Sequence, residues 1–532
     1  MLTFLLMAAA GAVAHYLFGF SHADQSGHAW GSDDAYISYR YALNLANGHG
    51  LVFNPGEKVE GYTNFLYVLV ATIFAMVNPS AIYIGCFIFN VLMFLAALGL
   101  GFWYLNRTIG GVNTLLGFAF LCLSPLLWAW PASGLETSTV LLIQLSIFIC
   151  ADFGSQNPSP TAGLFFCCLA GISILIRADG FVFPLICCSA FILRKRWRYG
   201  FLAMGVILVF TVLYIAARYK YYGAPFPNTY YAKVSGPLDQ RVMSAAKQLI
   251  KFCGKTGFFL YLLPLAFGWR SFLAALKSSR RLDLSAAPLI PCIAGGLLAY
   301  WFYIGGDVFY ERFLLILIPL GVAHLLASDS HPGFVSWNKY AILGIIGLQL
   351  TPFALDRRFE YQLKKYDRWI DLGQFLAVRH RDATLAIDAA GKVPFYSGFH
   401  TIDILGLNDP HIGRLPVANF NVAGHNKFDA DYVLAKRPDL IAAWGNEALD
   451  LQWGLTRGKY RSGGYRLKYV VNASSQSKAE NIVDVSRTDQ KGIAALHKQG
   501  YQYLMLMRRP AAEDGNGIAR ARYDLPPTTH QR

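Results

Sequence analysis

Charged residues are scarce in this chain, and cysteine is missing from its whole carboxyl-terminal part. Only 15% of the 532 residues are charged, whereas 55% are hydrophobic. A soluble core cannot absorb that much apolar surface, so the composition excludes the soluble globular class and predicts a polytopic α-helical membrane protein. All nine cysteines lie in or beside apolar segments, and none follows Cys292. We interpret them as small hydrophobic residues, not as disulfide partners or metal ligands.

The motifs that hold nucleotides or catalytic metals are absent as well. The segment "CGKTG" (253–257) is not a phosphate-binding loop, because Leu249 stands where its first glycine is required. No G-x-G-x-x-G follows a predicted strand, and no H-E-x-x-H occurs. The short "DAD" (429–431) resembles a metal motif of nucleotide-sugar enzymes but is interpreted as a surface feature. The sequence therefore predicts no cofactor and no metal site.

Apolar runs follow one another along the first two thirds of the chain. They lie near 1–20, 65–78, 80–105, 112–131, 137–151, 161–176, 180–193, 199–217, 256–269, 286–304, 312–327 and 339–353. The run 65–78 is shorter than the roughly 20 residues that a spanning helix needs, so we interpret it as an embedded helix. If it does not cross and the amino terminus is cytoplasmic, the basic clusters 194–198 and 270–281 both lie inside, as the positive-inside rule requires. The sequence thus predicts about eleven transmembrane helices.

The excess of basic residues fits the same topology. The formal net charge is +15, but no basic motif with interleaved aromatic residues appears. In a membrane protein such charge is expected in cytoplasmic loops that face anionic headgroups. No nucleic-acid partner is predicted.

Three domains are predicted from these runs. Residues 1–355 form the transmembrane domain, with the first outer loop at 21–79 and a retained first helix that lacks a basic start and a cleavage site. Residues 356–510 alternate strand and helix patterns, as in "ATLAIDAAGKVPFYSG" and "YQYLMLMRR", and predict an outer α/β domain. The tail 511–532 is predicted to be disordered.

Ionisable residues gather on the predicted outer side. They are Glu136 in "ASGLET", Arg177 and Asp179 in "RADG", Lys233 in "YYGAPFPNTYYAK", and Asp307 and Arg312 in "GGDVFYER". Each taken alone has a plain structural explanation as an interfacial anchor or a helix cap. Because charges at membrane depth are costly and usually line a cavity, their convergence predicts an active or transport site at the outer leaflet.

The opening loop carries two adjacent acids. "SDDAYISYRYALNLANGHG" (32–50) predicts a short helix, with Ser32 or Asp33 as its N-cap and Gly48 as a left-handed C-cap. Capping uses at most one carboxylate. At least one of Asp33 and Asp34 is therefore not used for capping and lies free beside the amino terminus of the helix.

These segments together resemble a known family. "DDAYISYRYALNLANGHGLVFNPGEKVEGYTNFLYVL", "SGLET", "RADG", "YYGAPFPNTYYAK", "GGDVFYERF" and "DAAGKVPFYSG…DILGLNDPHI" are similar to the mycobacterial terminal arabinofuranosyltransferases and their bacterial relatives, from about Asp33 to Ile441. The resemblance implies the GT-C class of membrane glycosyltransferases. It further implies a multi-pass protein of the bacterial inner membrane with its active site on the periplasmic side.

The same resemblance implies the reaction. A sugar, with arabinofuranose as the candidate, passes from a polyprenyl-phosphate donor to a hydroxyl of a cell-envelope glycan, lipid-linked glycan or protein. Asp33 or Asp34 is the general base, and we favour Asp33 as the residue that projects from the helix start. Arg177, Lys233 and Arg312, with Tyr230 and Tyr231, are expected to bind the donor phosphate. A divalent cation would suit adjacent acids at a phosphate site.

The remaining acids have supporting roles in this scheme. Glu136, Asp179 and Asp307 bind acceptor hydroxyls or hold the cations in place. Asp409, in "DILGLNDPHIG" (403–413), shapes the acceptor site in the segment expected to approach the membrane, or merely makes a turn. The segment 238–252 predicts an interfacial amphipathic helix that borders the lipid entrance.

The alternative function is an exporter or flippase of lipid-linked sugar. Such a protein would carry charges nearer mid-bilayer and paired internal repeats, which the sequence does not show. A non-catalytic glycan-binding protein would need neither the adjacent acids nor the cations.

Overall fold

The computed structural model describes residues 31–257, 289–327, 344, 367–417, 419–472 and 481–508. Outside them lie the predicted first helix at 1–20, nearly all of the runs 256–269 and 339–353, the basic cluster 270–281 and the tail 511–532. Each predicted apolar run within the described residues is helical.

The amino-terminal helices pack around one apolar core. They are α1 (Asp33–Ala46), α2 (Phe65–Val77), α3 (Ile82–Thr108), α4 (Gly111–Leu123), α5 (Pro125–Trp128), α6 (Thr137–Gln156), α7 (Pro160–Ile176), α8 (Val182–Cys187), α9 (Ser189–Leu193), α10 (Trp197–Tyr222), α11 (Asn228–Lys233), α12 (Leu238–Thr256), α13 (Leu289–Ile304), α14 (Tyr310–Leu314) and α15 (Leu317–Ala327). Short 3₁₀ turns lie at Pro79–Ala81 and Pro131–Ser133. All nine cysteines are free thiols.

Three helices in the described part of the chain are long and apolar enough to cross a membrane: α6, α10 and Pro79–Thr108. A helix pair bent by 53°, Gly111–Leu123 and Leu126–Ser133, adds a fourth candidate. Helix α2 has only 13 residues, which is short for a span. The chain is therefore a multi-pass membrane protein, and the count of eleven helices stays a prediction.

The opening loop folds into helix α1 as predicted. The helix ends at Ala46 with Asn47 as its C-cap, and Gly48 follows with φ +79°, a left-handed conformation that glycine adopts without steric cost. A shared acceptor fixes the position of α1 beside α2. The hydroxyls of Tyr39 on α1 and Tyr67 on α2 each donate to the carbonyl of Gly134 at 2.8 Å. Helix α1 is thereby held against the "SGLET" segment, from which Glu136 projects.

Residues 384–508 contain a six-stranded mixed sheet of order β2-β1-β3-β6-β4-β5. Its strands are β1 (Thr384–Ile387), β2 (His400–Asp403), β3 (Leu440–Trp444), β4 (Tyr465–Val471), β5 (Ile482–Asp484) and β6 (Tyr503–Arg508). β1 runs parallel to β2 and β3, whereas β6 is antiparallel to β3 and β4. The accompanying helices are α16 (Arg368–Arg379), α17 (Lys392–Ser397), α18 (Pro410–Gly413), α19 (Ala430–Ala435), α20 (Arg457–Ser462) and α21 (Gln490–Lys498). We call residues 367–508 the α/β region.

Two charged side chains of α1 hold the α/β region against the membrane helices. The buried Arg40 donates to the backbone carbonyls of Pro394 and Phe399 at 2.7 and 2.6 Å. Asp33 accepts the backbone N–H groups of Gly391 and Lys392 at 3.0 and 2.8 Å. The sequence offered Ser32 or Asp33 as the N-cap of α1. Ser32 occupies that position without a side-chain hydrogen bond, and Asp33 caps the start of α17.

Candidate active site

A cavity of about 370 Å³ lies where α1, α10, α11, α13 and the loop before α14 meet. Most of the predicted site residues line it: Asp34, Glu136, Arg177, Asp179, Tyr230, Lys233, Asp307 and Arg312. Asp33, Tyr231 and Asp409 are not among its lining residues. The segments that carry the lining residues are far apart in the sequence. The sequence predicted only that these residues share the outer side of the membrane, and the fold brings them together in one cavity.

One part of the wall is an ion cluster around Arg177. Its Nη1 lies 3.0 Å from Glu136, and its Nε lies 2.8 Å from Asp179, whose other carboxylate oxygen accepts from Nη2. Burial alone would raise the pKa of Asp179, but the Arg177 guanidinium outweighs it and holds that pKa below its usual range. All three guanidinium nitrogens thus donate to carboxylates. Arg177 therefore holds two acids in place, which differs from its expected role as a free phosphate ligand.

The second ion cluster is built around Asp307. Lys233 Nζ and Arg312 Nη2 lie 3.1 and 3.4 Å from the same carboxylate oxygen. Burial would raise the pKa of Asp307, yet these two cations hold it well below its usual range, so the acid is ionised. The backbone before it depends on glycine: Gly306 has φ +82°, and an added Cβ would collide with Gln248, which accepts the N–H of Asp307 at 3.0 Å.

An aromatic ring joins the two clusters. The guanidinium carbons of Arg177 and Arg312 lie 4.5 and 5.4 Å from the ring centroid of Phe313. Guanidinium groups bind favourably to aromatic rings. The ring therefore fixes both arginines against the same side of the cavity.

The two adjacent acids occupy different environments. Both carboxylate oxygens of Asp33 accept backbone N–H groups of the α/β region, and burial raises its pKa to about 6. Asp34 lines the cavity with its α1 neighbours Ile37 and Ser38. Asp33 is not among the lining residues, because its side chain is directed at the backbone of Gly391 and Lys392. The sequence favoured Asp33 as the general base, whereas the geometry favours Asp34; which of the two acts as the base stays a prediction.

Tyr230 and Tyr231 diverge in the same way. Tyr230 lines the cavity, and its hydroxyl lies 3.3 Å from that of Tyr303. The ring of Tyr231 instead lies 5.2 Å from the guanidinium carbon of Arg414. The two rings are inclined by 78°. Tyr230 thus lies at the cavity and Tyr231 contacts the α/β region, and the donor-binding role stays a prediction that this placement favours for Tyr230 alone.

Asp409 is a helix cap. Its Oδ1 accepts the N–H groups of His411 and Ile412 at 2.9 Å each, and its Oδ2 accepts the hydroxyl of Tyr432. The turn interpretation is therefore correct and the acceptor role is not supported. The segment 403–413 nevertheless reaches the site as expected, because Asn228 donates to its backbone and Leu407 lines the cavity.

Several residues of the site escaped the sequence analysis. The hydroxyl of Ser38 donates to Asn64, and the amide of Asn64 donates to Glu136 at 2.8 Å. Tyr300 donates to Asp179 at 2.9 Å. The polar segment "EGYTN" (60–64), which contains Asn64, was the available signal in the sequence. The same segment supplies Glu60, which forms a buried ion pair with Arg218.

The structure places no ready-made metal site in the part of the chain that it describes. Among those residues, no three His, Cys, Asp or Glu side chains lie together as metal ligands do. Glu136, Asp179 and Asp307 are paired with arginine and lysine side chains instead.

Comparisons of sequence find two curated relatives. A terminal β-(1→2)-arabinofuranosyltransferase of Mycobacterium tuberculosis is 25% identical over 360 residues, which cover 60% of this chain and 57% of the relative. The enzyme of the same name from Corynebacterium glutamicum is 28% identical over 345 residues, covering 56% and 49%. The chain spans about half the length of these relatives. Residues 355–506 also match the model of a domain of unknown function, DUF8728.

Comparison of structures finds the fold of ArnT. The crystal structure of ArnT from Cupriavidus metallidurans bound to undecaprenyl phosphate superposes with a TM-score of 0.55 over 95% of this chain and 99% of that one. At 12% identity, this match concerns the fold alone. The resemblance seen in the sequence is thereby confirmed: the chain is a membrane protein of the GT-C fold and is similar to the terminal arabinofuranosyltransferases.

Proposed function

We propose that the protein is a polyprenyl-phosphate-dependent glycosyltransferase. It transfers a sugar, with arabinofuranose as the first candidate, to a hydroxyl of a cell-envelope glycan, lipid-linked glycan or protein. The names of the two relatives and the undecaprenyl phosphate bound to ArnT support this proposal. The observation that carries it is the placement of a carboxylate, Asp34, and the Lys233–Asp307–Arg312 cluster in one cavity.

The balance of charge assigns the donor phosphate to one cluster. Lys233 and Arg312 share the single carboxylate of Asp307, which leaves one positive charge in excess. Around Arg177 two carboxylates share one cation, which leaves an excess of negative charge. A lipid phosphate is stabilised by the first arrangement and repelled by the second. The Arg177 cluster is better suited to accepting hydrogen bonds from sugar hydroxyls.

The proposed reaction follows from this placement. The acceptor hydroxyl attacks the anomeric carbon while the bond from that carbon to the phosphate oxygen breaks. Asp34 takes the hydroxyl proton, and Lys233 and Arg312 stabilise the negative charge that grows on the leaving polyprenyl phosphate. These side chains supply the base and the cations that the step needs, so the proposed step uses no cofactor.

We place the site on the periplasmic side of the bacterial inner membrane, with the α/β region outside. This assignment retains the eleven-helix topology and the boundaries 1–355 and 356–510. It is supported by the basic residues at 194–198, which the positive-inside rule puts in the cytoplasm only if α2 does not cross.

Cysteine labelling tests this topology. In a variant without native cysteines, we expect a cysteine at Ser80 to react with an impermeant reagent from outside. A cysteine at Arg196 is expected to react only after permeabilisation, because the embedded α2 leaves it inside. Labelling of position 196 from outside would reverse the orientation and contradict the periplasmic placement.

Transfer by the purified full chain tests the function. In detergent, with a synthetic polyprenyl-phosphate arabinofuranose and an arabinofuranosyl oligosaccharide, we expect glycoside formation. Lys233→Met should weaken binding of sugar-free polyprenyl phosphate by roughly 10- to 100-fold, because a charge-assisted contact is lost. Lys220→Met, at an exposed position near the end of α10, is the matched control. Lipid movement across sealed vesicles without transfer would instead support the flippase.

A further inference from the structure

The wall formed by α10 contains an arginine that none of the roles above uses. Helix α10 is largely exposed, with Leu202, Leu208 and Leu213 each more than 60% accessible on its outer surface. Near its end Arg218 turns inward: its side chain is 3% exposed and lines the cavity. Burying a guanidinium is costly unless its charge is paired, so its inward position calls for an explanation.

Glu60 satisfies the charge of Arg218 but not all of its donors. The Nε atom of Arg218 lies 2.7 Å from Glu60 Oε2, and the Glu60 side chain is also 3% exposed. Neither Nε nor Nη2, both buried, meets hydrogen-bond geometry with a partner among the described residues, so Glu60 supplies an opposite charge and not a well-directed hydrogen bond. The guanidinium carbon lies 4.6 Å from the ring centroid of Tyr214. Glu60 and Tyr214 thus hold Arg218 in position while Nη2 keeps unused N–H donors.

A second unused polar atom lies in the same cavity. The Oγ1 atom of Thr229, on α11, is buried without a hydrogen-bond partner within the part of the chain that the structure describes, and Thr229 lines the cavity. An unpaired buried polar group costs about 1 to 3 kcal/mol. Two such groups in the lining of one cavity indicate that a bound molecule completes their hydrogen bonds.

The charge of this wall distinguishes its ligand from the phosphate. Burial raises the pKa of Glu60 to about 7, and with Glu60 ionised the Glu60–Arg218 pair carries one charge of each sign, unlike the Lys233–Asp307–Arg312 cluster with its excess cation. A neutral pair with spare donors, beside a hydroxyl that both donates and accepts, matches the hydroxyl groups of a sugar ring.

We propose that Arg218, positioned by Glu60, and Thr229 form a sugar-binding subsite that recognises ring hydroxyls during the transfer. This inference rests on the proposed function. The ring belongs either to the donor's transferred sugar or to the acceptor, and both present the same chemistry.

Separate substrate titrations test the subsite. We expect Arg218→Met to raise the KM for one substrate about 10- to 100-fold, because a buried hydrogen bond to a charged group is lost. Binding of sugar-free polyprenyl phosphate should stay within about twofold of wild type, since the phosphate contacts are intact. A rise for the polyprenyl-phosphate arabinofuranose identifies the donor's sugar. A rise for the arabinofuranosyl oligosaccharide identifies the acceptor.

Further variants keep the test sharp. Thr229→Val preserves shape and removes only the hydroxyl, so it should raise the same KM by roughly fivefold even if Arg218→Met does not fold. Lys220→Met should behave as wild type. Unchanged kinetics in Thr229→Val, or an equal loss of polyprenyl-phosphate binding in Arg218→Met, would overturn the subsite. A wild-type protein that neither transfers sugar nor binds polyprenyl phosphate would instead refute the proposed function itself.

Discussion

Replacement of Asp34 by asparagine is expected to lower turnover about 10²- to 10⁴-fold while polyprenyl phosphate still binds. An alcohol is a weak nucleophile, and asparagine cannot take its proton. The loss corresponds to roughly 3 to 5 kcal/mol of transition-state stabilisation. The phosphate contacts of Lys233 and Arg312 do not involve Asp34, so donor binding should be spared.

The adjacent Asp33→Asn is the matched comparison. Asparagine keeps one acceptor oxygen but replaces the other with an NH₂ group, so one of the N–H groups of Gly391 and Lys392 loses its acceptor. We expect a fall of about 1 to 2 kcal/mol in the free energy of unfolding, with a much smaller loss of turnover per folded molecule. Initial rates, thermal unfolding and polyprenyl-phosphate binding of both variants measure the contrast. Collapse of turnover in Asp33→Asn alone would return the role of base to Asp33.

Gly391→Ala is expected to weaken the attachment of the α/β region to α1. A Cβ at this position would collide with the carbonyl of Asp33, and no flexible side-chain end is available there to move away. Overpacking of this kind costs roughly 1 to 3 kcal/mol. Because α1 also carries Asp34, we expect turnover to fall together with stability, which thermal unfolding and initial rates would show.

Gly458→Ala is the control for this change. It lies on helix α20 of the same region, and an added Cβ there meets no atom within 4 Å. Alanine at such a site should leave stability unchanged or raise it by up to about 1 kcal/mol. Equal stability of Gly391→Ala and Gly458→Ala would show that α1 and the start of α17 do not approach as closely as described.

Local patterns in the sequence were enough to predict the class and much of the architecture. Composition and the length of apolar runs identified a multi-pass membrane protein, because burial in lipid demands apolar side chains whatever the fold. The boundaries of α1 followed from its capping residues, with Gly48 just beyond its end. Counting the predicted membrane crossings placed Glu136, Lys233 and Arg312 together on the outer side. In the structure these three residues line one cavity.

Pairing between distant segments was not accessible in the same way. Asp33 and Asp34 are the same residue type. They differ in role because the backbone N–H of Gly391, 358 positions away from Asp33, donates to the Asp33 carboxylate. Arg177 pairs with Glu136, 41 positions away, and Arg218 is buried against Glu60, and no spacing in the sequence signals either pairing. Membership of a site depends on side-chain direction and on which segments approach in space. Those properties arise only when the helices and the α/β region pack together.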